Sequence, residues 1–400
     1  MSPSPTRPLP MTRRRALGTP LVALLAGTLG PTLLSACGGG GDAAGTGGAQ
    51  SFTSGPISGL GSIIVGRVRF EDDSARVEDD DGASHSRSAL ALGMMVEVQA
   101  SSIDDATGRA VAALIRFGSE IKGPVASVDS AAQTLRVLDQ TVEIRPETVF
   151  GPGLPGGFAA LTAGQILEIH ALFDGASGRY IATRVELEDS TSTYRLRGVV
   201  SQLDTNAKTF QIGDAVINSA GASEGITTLA NGMRVRVRLQ TTQVGGQWIA
   251  LSVRSGMRRV DDVADARIRG FVTAFTSITR FEVEGVPIDA TGARVEGAVQ
   301  LGALVEVRGR ADAGRIVASR VEAIDRLSDD WRRVELHGTV SGLDKAAQTF
   351  VLREVKVDYS RVMEWKNARP QDLADGKALE VKGLWSEDRS VLFAVMIEFE

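Results

Sequence analysis

The sequence predicts an all-β protein built as five tandem small antiparallel β-barrels of OB-like outline, preceded by an export signal and a glycine-rich tether. Three observations lead there. A three-part motif returns every 68 to 74 residues after about Thr53. Within each return the apolar residues alternate with period two rather than 3.6, the pattern of a half-buried strand. The first 36 residues have the make-up of a segment that is removed. A sandwich of the same strands is the competing arrangement, because strand number and length are common to both.

In chain order the signal comes first. Arg13, Arg14 and Arg15 precede a weakly apolar stretch over residues 16–34. Pro20, Gly27, Gly30 and Pro31 interrupt it, so it is poorly suited to a permanent span, which needs about 20 unbroken apolar residues. Leu34-Ser35-Ala36-Cys37 resembles the lipobox of bacterial lipoproteins. That resemblance implies cleavage after residue 36, acylation of Cys37, and attachment to a membrane through the lipid. The run from Thr12 to Leu17, with Arg13 and Arg14, resembles the twin-arginine export motif, and three arginines before an apolar run suit the general secretory route as well. Met11 is an alternative start.

Residues 37–53 then read as the lipidated cysteine and a flexible tether, rich in glycine and with Asp42 its one charge. Cys37 is the only cysteine, so disulfide scaffolds and cysteine-based zinc modules are excluded and the folds must stand on packing. The 43% hydrophobic content supplies the cores. Residues 1–36 hold four arginines and no acid, so their removal takes the net charge from −5 to −9. This acidity disfavours nucleic acid as a partner.

Past the tether the repeat sets the domain plan. Gly-x-x-apolar-charged-apolar stands at Gly93, Gly164, Gly232, Gly302 and Gly376. Ala-x-x-(Val/Ile)-charged follows at Ala112, Ala182, Ala250, Ala318 and Ala394. A glycine and an apolar strand open each unit, as in Gly123-Pro124-Val125 and Gly338-Thr339-Val340. Fixed order at a fixed period means copies of one unit, placed at residues 54–119, 120–190, 193–260, 265–328 and 331–400.

Each unit is written as a hairpin, a third strand, one helical turn and two further strands. Asp129, Asp204 and Asp344 head the hairpin turns, where a carboxylate accepts backbone N–H groups, and Thr134, Thr209 and Thr349 restart the strand with a β-branched side chain. The third strand falls near residues 142–149. Segments such as Ala159 to Gly164 suit one helical turn closed by a glycine at positive φ. The third unit departs in one respect: Val235-Arg236-Val237 replaces Val-Glu-Val, so its wet face changes sign.

These units resemble the bacterial domain of unknown function 5666, an exported β domain that begins Gly-Pro-(Val/Ile) and carries Leu-x-x-Gly-x-x-Val-Glu-Val followed by Ala-x-x-Val. Leu161 to Ile169 with Ala182 to Glu186 fits that pattern, as does the opening Gly55-Pro56-Ile57. The resemblance implies tandem small β domains in an exported protein. It implies no activity, cofactor or site residue.

Chemistry is sparse. His85, His170 and His337 fall in different units at unmatched positions, and exposed strand or loop histidines are the expectation rather than a shared metal site. No serine-nucleophile elbow, P-loop or His-Glu-x-x-His helix occurs. The acidic run offers Asp72, Asp73, Asp79, Asp80 and Asp81 as candidates for a divalent ion, against the plainer reading of a solvated hairpin tip. The recurring glutamates of Val-Glu-Val read as surface. Trp248, Trp331, Trp365 and Trp385 are either core or a stacking platform for sugars or bases.

The expectation is a non-catalytic, lipid-anchored envelope protein without cofactor. Its barrels serve as a spacer or binding scaffold for another envelope protein or a glycan. In a Gram-negative host, Gly38 after the cysteine directs it to the outer membrane, facing the periplasm or the surface. The alternatives are an envelope hydrolase or transferase with carboxylates between barrels, and a divalent-cation-binding surface protein.

Overall fold

The structure is a computed structural model and describes residues 50–223, 228–256, 260–324, 333–386 and 391–400. Its regular structure is strand, with three 3-10 turns and no α-helix among the described residues. No helix in them is long and apolar enough to cross a membrane. The signal peptide and the proposed lipid site, with Arg13, Arg14, Leu34, Ser35, Ala36 and Cys37, lie outside the described residues.

Alternation in the sequence becomes alternation in burial. Thr134–Val137 buries Leu135 and Val137, while Gln140–Glu143 buries Gln140 and Val142. Five strands with one such face close on themselves. Ile121–Asp129 pairs antiparallel with Thr134–Val137, which pairs with Gln140–Glu143. That strand runs parallel to Arg179–Glu188, which is antiparallel to Ile166–Asp174, and the last returns to Ile121–Asp129. The cycle has no open edge, so the unit is a barrel and not a sandwich. The expectation of wholly antiparallel strands is corrected at one step. The third strand meets the last in parallel, because the 3-10 turn at Gly157–Ala160 and the fourth strand intervene between them and reverse the chain an extra time.

The same cycle recurs along the chain, making several small five-stranded barrels. In residues 194–255 it runs through Tyr194–Asp204, Thr209–Ile212, Ala215–Asn218, Gln247–Ser255 and Arg234–Val244. It returns in residues 51–117, 263–323 and 333–399. Asp129, Asp204 and Asp344 each accept two backbone N–H groups at 2.9–3.0 Å, as the turn chemistry demands.

The motif glycine has a definite task. Gly93, Gly164, Gly232, Gly302 and Gly376 have φ between +75° and +90°. Each donates its N–H at 2.8–2.9 Å to the first strand of its barrel, at Ile57, Val125, Val200, Val272 and Val340. The residue after each glycine accepts the N–H of that same first-strand residue. This reciprocal pair locks the entry of the fourth strand, and the left-handed conformation it requires favours glycine.

The barrels do not follow one another as separate beads. One continuous core joins residues of the first and last barrels, including Ile57, Leu60, Leu336 and Leu379. A second joins those of residues 121–188 and 194–255. Backbone pairing also crosses between barrels. Ser51–Gly59 runs parallel to Val263–Ser277 over residues 51–54, Leu196 pairs with Ile121, and Leu60 bridges to Leu336. Ser51, Phe52 and Thr53 are buried in that strand, which corrects the tether's far end. They leave the flexible segment because Phe52 packs into the core of residues 263–323.

Candidate functional site

The first barrel carries a hairpin, Arg76–Asp79 paired with Ser84–His85, that has no counterpart among the described residues of the other barrels. Asp79 organises its tip. One carboxylate oxygen accepts N–H from Asp81 and Ala83 at 2.9 Å, and the other meets His85 Nε2 at 3.0 Å. Burial would raise this carboxyl, but the His85 bond and the two amides outweigh it and hold Asp79 below the usual carboxylate range. Fixed this way, the tip presents Asp80 and Asp81 to the barrel of residues 194–255.

The receiving face is a row of arginines. Arg197 lies directly opposite Arg236 across one strand pair, and Arg236 directly opposite Arg254 across the next. Like charges opposite one another destabilise a sheet, and the side chains of Arg197 and Arg236 are each only 7% exposed. The acidic tip supplies their counter-charge. Asp80 pairs with Arg197 and lies 3.3 Å from Arg236. Asp81 accepts from Arg236 at 2.8 Å and from Arg195 and Arg254 at 3.4 Å. Burial works against the charge on Arg197, yet Asp80 and Glu120 outweigh it and raise its pKa; at Arg236 burial wins and lowers it. Asp80 and Asp81 thus form a plug in the arginine face. Asp72 and Asp73 meet a different cation, Arg87, with Asp72 at 3.1 Å.

A second joining device recurs at the turn between the second and third strands. Asp139 accepts from Trp248 Nε1 at 2.8 Å, and Asp214 pairs with Arg136 at 3.0 Å. Glu354 receives Arg184 in a two-pronged contact, 2.9 Å on each oxygen. Glu284 accepts N–H from Phe271 at 3.0 Å and from Phe173 at 3.3 Å, and lies 3.9 Å from Arg234. Burial lowers the pKa of Arg234, with Glu284 opposing it. Arg184 is 1% exposed; burial opposes its charge, but Glu354 and Glu186 overcome that and raise its pKa. The aligned repeats show an acid at this turn in four of the units, with Arg67 in the first. That regularity is the signal that a reading of the strands alone passes over.

A further polar cluster lies where the first and last barrels meet. Glu335 and His337 alternate on one face of Arg333–Asp344, and Glu380 sits directly opposite His337 on Ala378–Trp385. Their ligand-capable atoms lie within 4.8 Å of one another. His337 Nε2 is 3.2 Å from Glu335 and 3.5 Å from Glu380, while Nδ1 is 2.6 Å from Glu400. Arg69 from the first barrel enters between them, paired with Glu335 and 3.4 Å from Nε2. Lys382 borders the group at 2.9 Å from Glu380. Burial would raise Glu380, but Lys382, His337 and Arg69 hold it below the usual range. Burial lowers the pKa of Arg69 against the pull of Glu380.

The three histidines thus have separate surroundings. His85 serves the hairpin tip, and His337 the cluster just described. His170 corrects the expectation of exposure: it is 1% exposed, with Nδ1 3.3 Å from the Met95 amide and 3.1 Å from the Gly118 carbonyl of the adjoining barrel. The Val-Glu-Val glutamates are corrected in the same way. Glu306 is buried and meets Arg308 at 2.7 Å, and Glu168 meets Lys122 at 3.2 Å. Trp248 is buried against Tyr194, and Trp365 and Trp385 pack on the core shared by the first and last barrels. Trp331 lies outside the described residues.

Three segments, residues 122–186, 269–322 and 337–398, match the family described as domain of unknown function DUF5666. A solved structure, "drosophila Unr CSD456", is 15% identical, covering 53% of this chain and 98% of its own, with a TM-score of 0.13. No curated protein matches the chain.

Proposed function

We propose that this chain, with its tandem DUF5666 segments, is a non-catalytic, lipid-anchored envelope protein whose five barrels act together as one binding scaffold. The export signal and the lipobox at Cys37 support the address: the outer membrane of a Gram-negative host, facing the periplasm or the surface. The observation that carries the scaffold reading is the insertion of Asp80 and Asp81 among Arg195, Arg197, Arg236 and Arg254. Barrels distant in sequence are tied by charge and by shared cores, which suits a single rigid platform better than an extended spacer. Small repeated domains held this way multiply weak contacts to another envelope protein or a glycan.

Small-angle scattering on the mature chain with Cys37→Ser tests the platform. A single body of this length has a radius of gyration of about 20 Å, and a string of barrels would exceed that by half or more. An affinity screen against glycans and periplasmic proteins tests binding. Turnover of an envelope substrate that vanishes on neutralising an acidic pair would overturn the non-catalytic reading. Blocked processing of Cys37→Ala is expected, and normal maturation of that variant would refute the anchor.

A further inference from the structure

We propose that Glu335, His337 and Glu380 form a binding site for a borderline divalent cation of the zinc class, in which the Arg69 guanidinium now stands in for the ion.

Three features converge. The first is the donor set: one imidazole nitrogen and two carboxylates, close enough to share one ion, and of the type that suits zinc-class metals. The second is the orientation of the imidazole. Nδ1 meets Glu400 at 2.6 Å while Nε2 points at Glu335 and Glu380, 3.2 and 3.5 Å away; an ion placed between them would take the Nε2 lone pair with the ring proton held on the Glu400 side, the carboxylate–histidine arrangement that fixes metal-binding histidines. Gly61, at φ +136°, packs so closely over the ring that any Cβ there would collide with it, which further holds the imidazole in place.

The third feature is what occupies the centre. Arg69 Nη2 contacts both Glu335 and Nε2, so the group already gathers around a positive charge delivered by another barrel. A metal ion and Arg69 cannot both hold that position. Binding must therefore displace the arginine, and removal of Arg69 must strengthen binding. Asp72 and Asp73 share Arg87, and Asp80 and Asp81 are held by Arg197 and Arg236, so this group differs from them in including an imidazole.

Titration calorimetry of untagged, metal-stripped protein with zinc chloride, with cobalt absorption as a second readout, tests the site. One zinc per chain is expected. His337→Ala should weaken binding by at least tenfold, as should Glu335→Gln with Glu380→Gln. Glu400→Gln should weaken it by about tenfold through loss of the histidine's orientation. Arg69→Met should tighten it, and His85→Ala should leave it unchanged. Circular dichroism confirms that each variant is folded. If His337→Ala binds zinc as tightly as the parent, or if Arg69→Met binds no better, the assignment is wrong. Absence of binding at millimolar zinc in both the parent and Arg69→Met would also overturn it.

Discussion

Asp81 and Arg236 are 155 residues apart and share a hydrogen bond of 2.8 Å. The acid stands on a hairpin tip of the first barrel and the arginine in a cross-strand row of like charges. Each needs the other: unpaired, the row would repel itself in a setting where water has little access.

Neutralising the plug with Asp80→Asn and Asp81→Asn strips Arg236 of its paired carboxylates and leaves Arg197 with Glu120 at 3.8 Å. Breaking a buried pair from one side costs about 3–5 kcal/mol; with the two carboxylates partly exposed, the expected loss is ~2 kcal/mol. Urea unfolding measures it. Adding Arg236→Met to the double variant should recover part of that stability, because it removes the stranded charge. No recovery would mean that the plug acts by shape rather than charge.

Arg184 and Glu354 offer a second test. Glu354→Gln leaves a 1% exposed guanidinium with Glu186 as its remaining carboxylate, whereas Arg184→Met leaves a carboxylate that reaches water. The glutamate variant should therefore be the less stable of the two. A double-mutant cycle should return a coupling of about 1–3 kcal/mol. Additive effects would show that the contact contributes little.

Glu168 and Glu188 predict a pH dependence of opposite signs. Burial favours the neutral form of Glu168, but His170, Glu188, Lys122 and Arg195 outweigh it and hold the carboxyl at about 2. A depressed carboxylate contributes stability that is fully present above its unfolded value near 4.5 and is lost as pH falls toward 2. The stability gap between the parent and Glu168→Gln should thus narrow over that window. Glu188 is pushed up by burial and by its hydrogen bond to Glu168, so its contribution is lost as pH rises past 4.5. Relative to the parent, Glu188→Gln should gain stability in that direction. Chemical denaturation from pH 2 to 7 follows both, and parallel curves for all three proteins would contradict the assignment.

The motif glycines separate conformation from crowding. Gly164 has φ +90° and open space where a Cβ would go, while Gly93, at φ +79°, faces the Thr183 carbonyl of the next barrel. Gly164→Ala should cost about 1 kcal/mol for its backbone conformation alone. Gly93→Ala adds a collision with backbone and should cost clearly more, as a larger drop in melting temperature. Equal drops would show that the barrel seam near Gly93 yields readily.

Within a barrel, nearly everything was legible in the chain. Alternation gave the strands, Asp129 and its counterparts gave the turns, and Gly164 and its counterparts gave the entry to the fourth strand, because each depends on neighbours a few residues away. The third strand's parallel partner was hidden, since closure depends on where the chain returns after an intervening strand. The acidic run and the arginine face were both visible too, as separate peculiarities of the first and third repeats.

Their meeting was not. A polar strand face that looks onto water and one that looks onto an oppositely charged barrel are written in the same residues, so Glu168, Arg236 and Glu306 read alike as surface. The same holds for His337, whose carboxylates come from its own strand at Glu335 and the neighbouring one at Glu380 and whose cation comes from a barrel some 270 residues away. Repeat period, turn chemistry and strand pattern follow from local rules and are fixed by the amino-acid order. Which faces become seams depends on long-range charge matching and on burial, and these arise once the barrels are packed together.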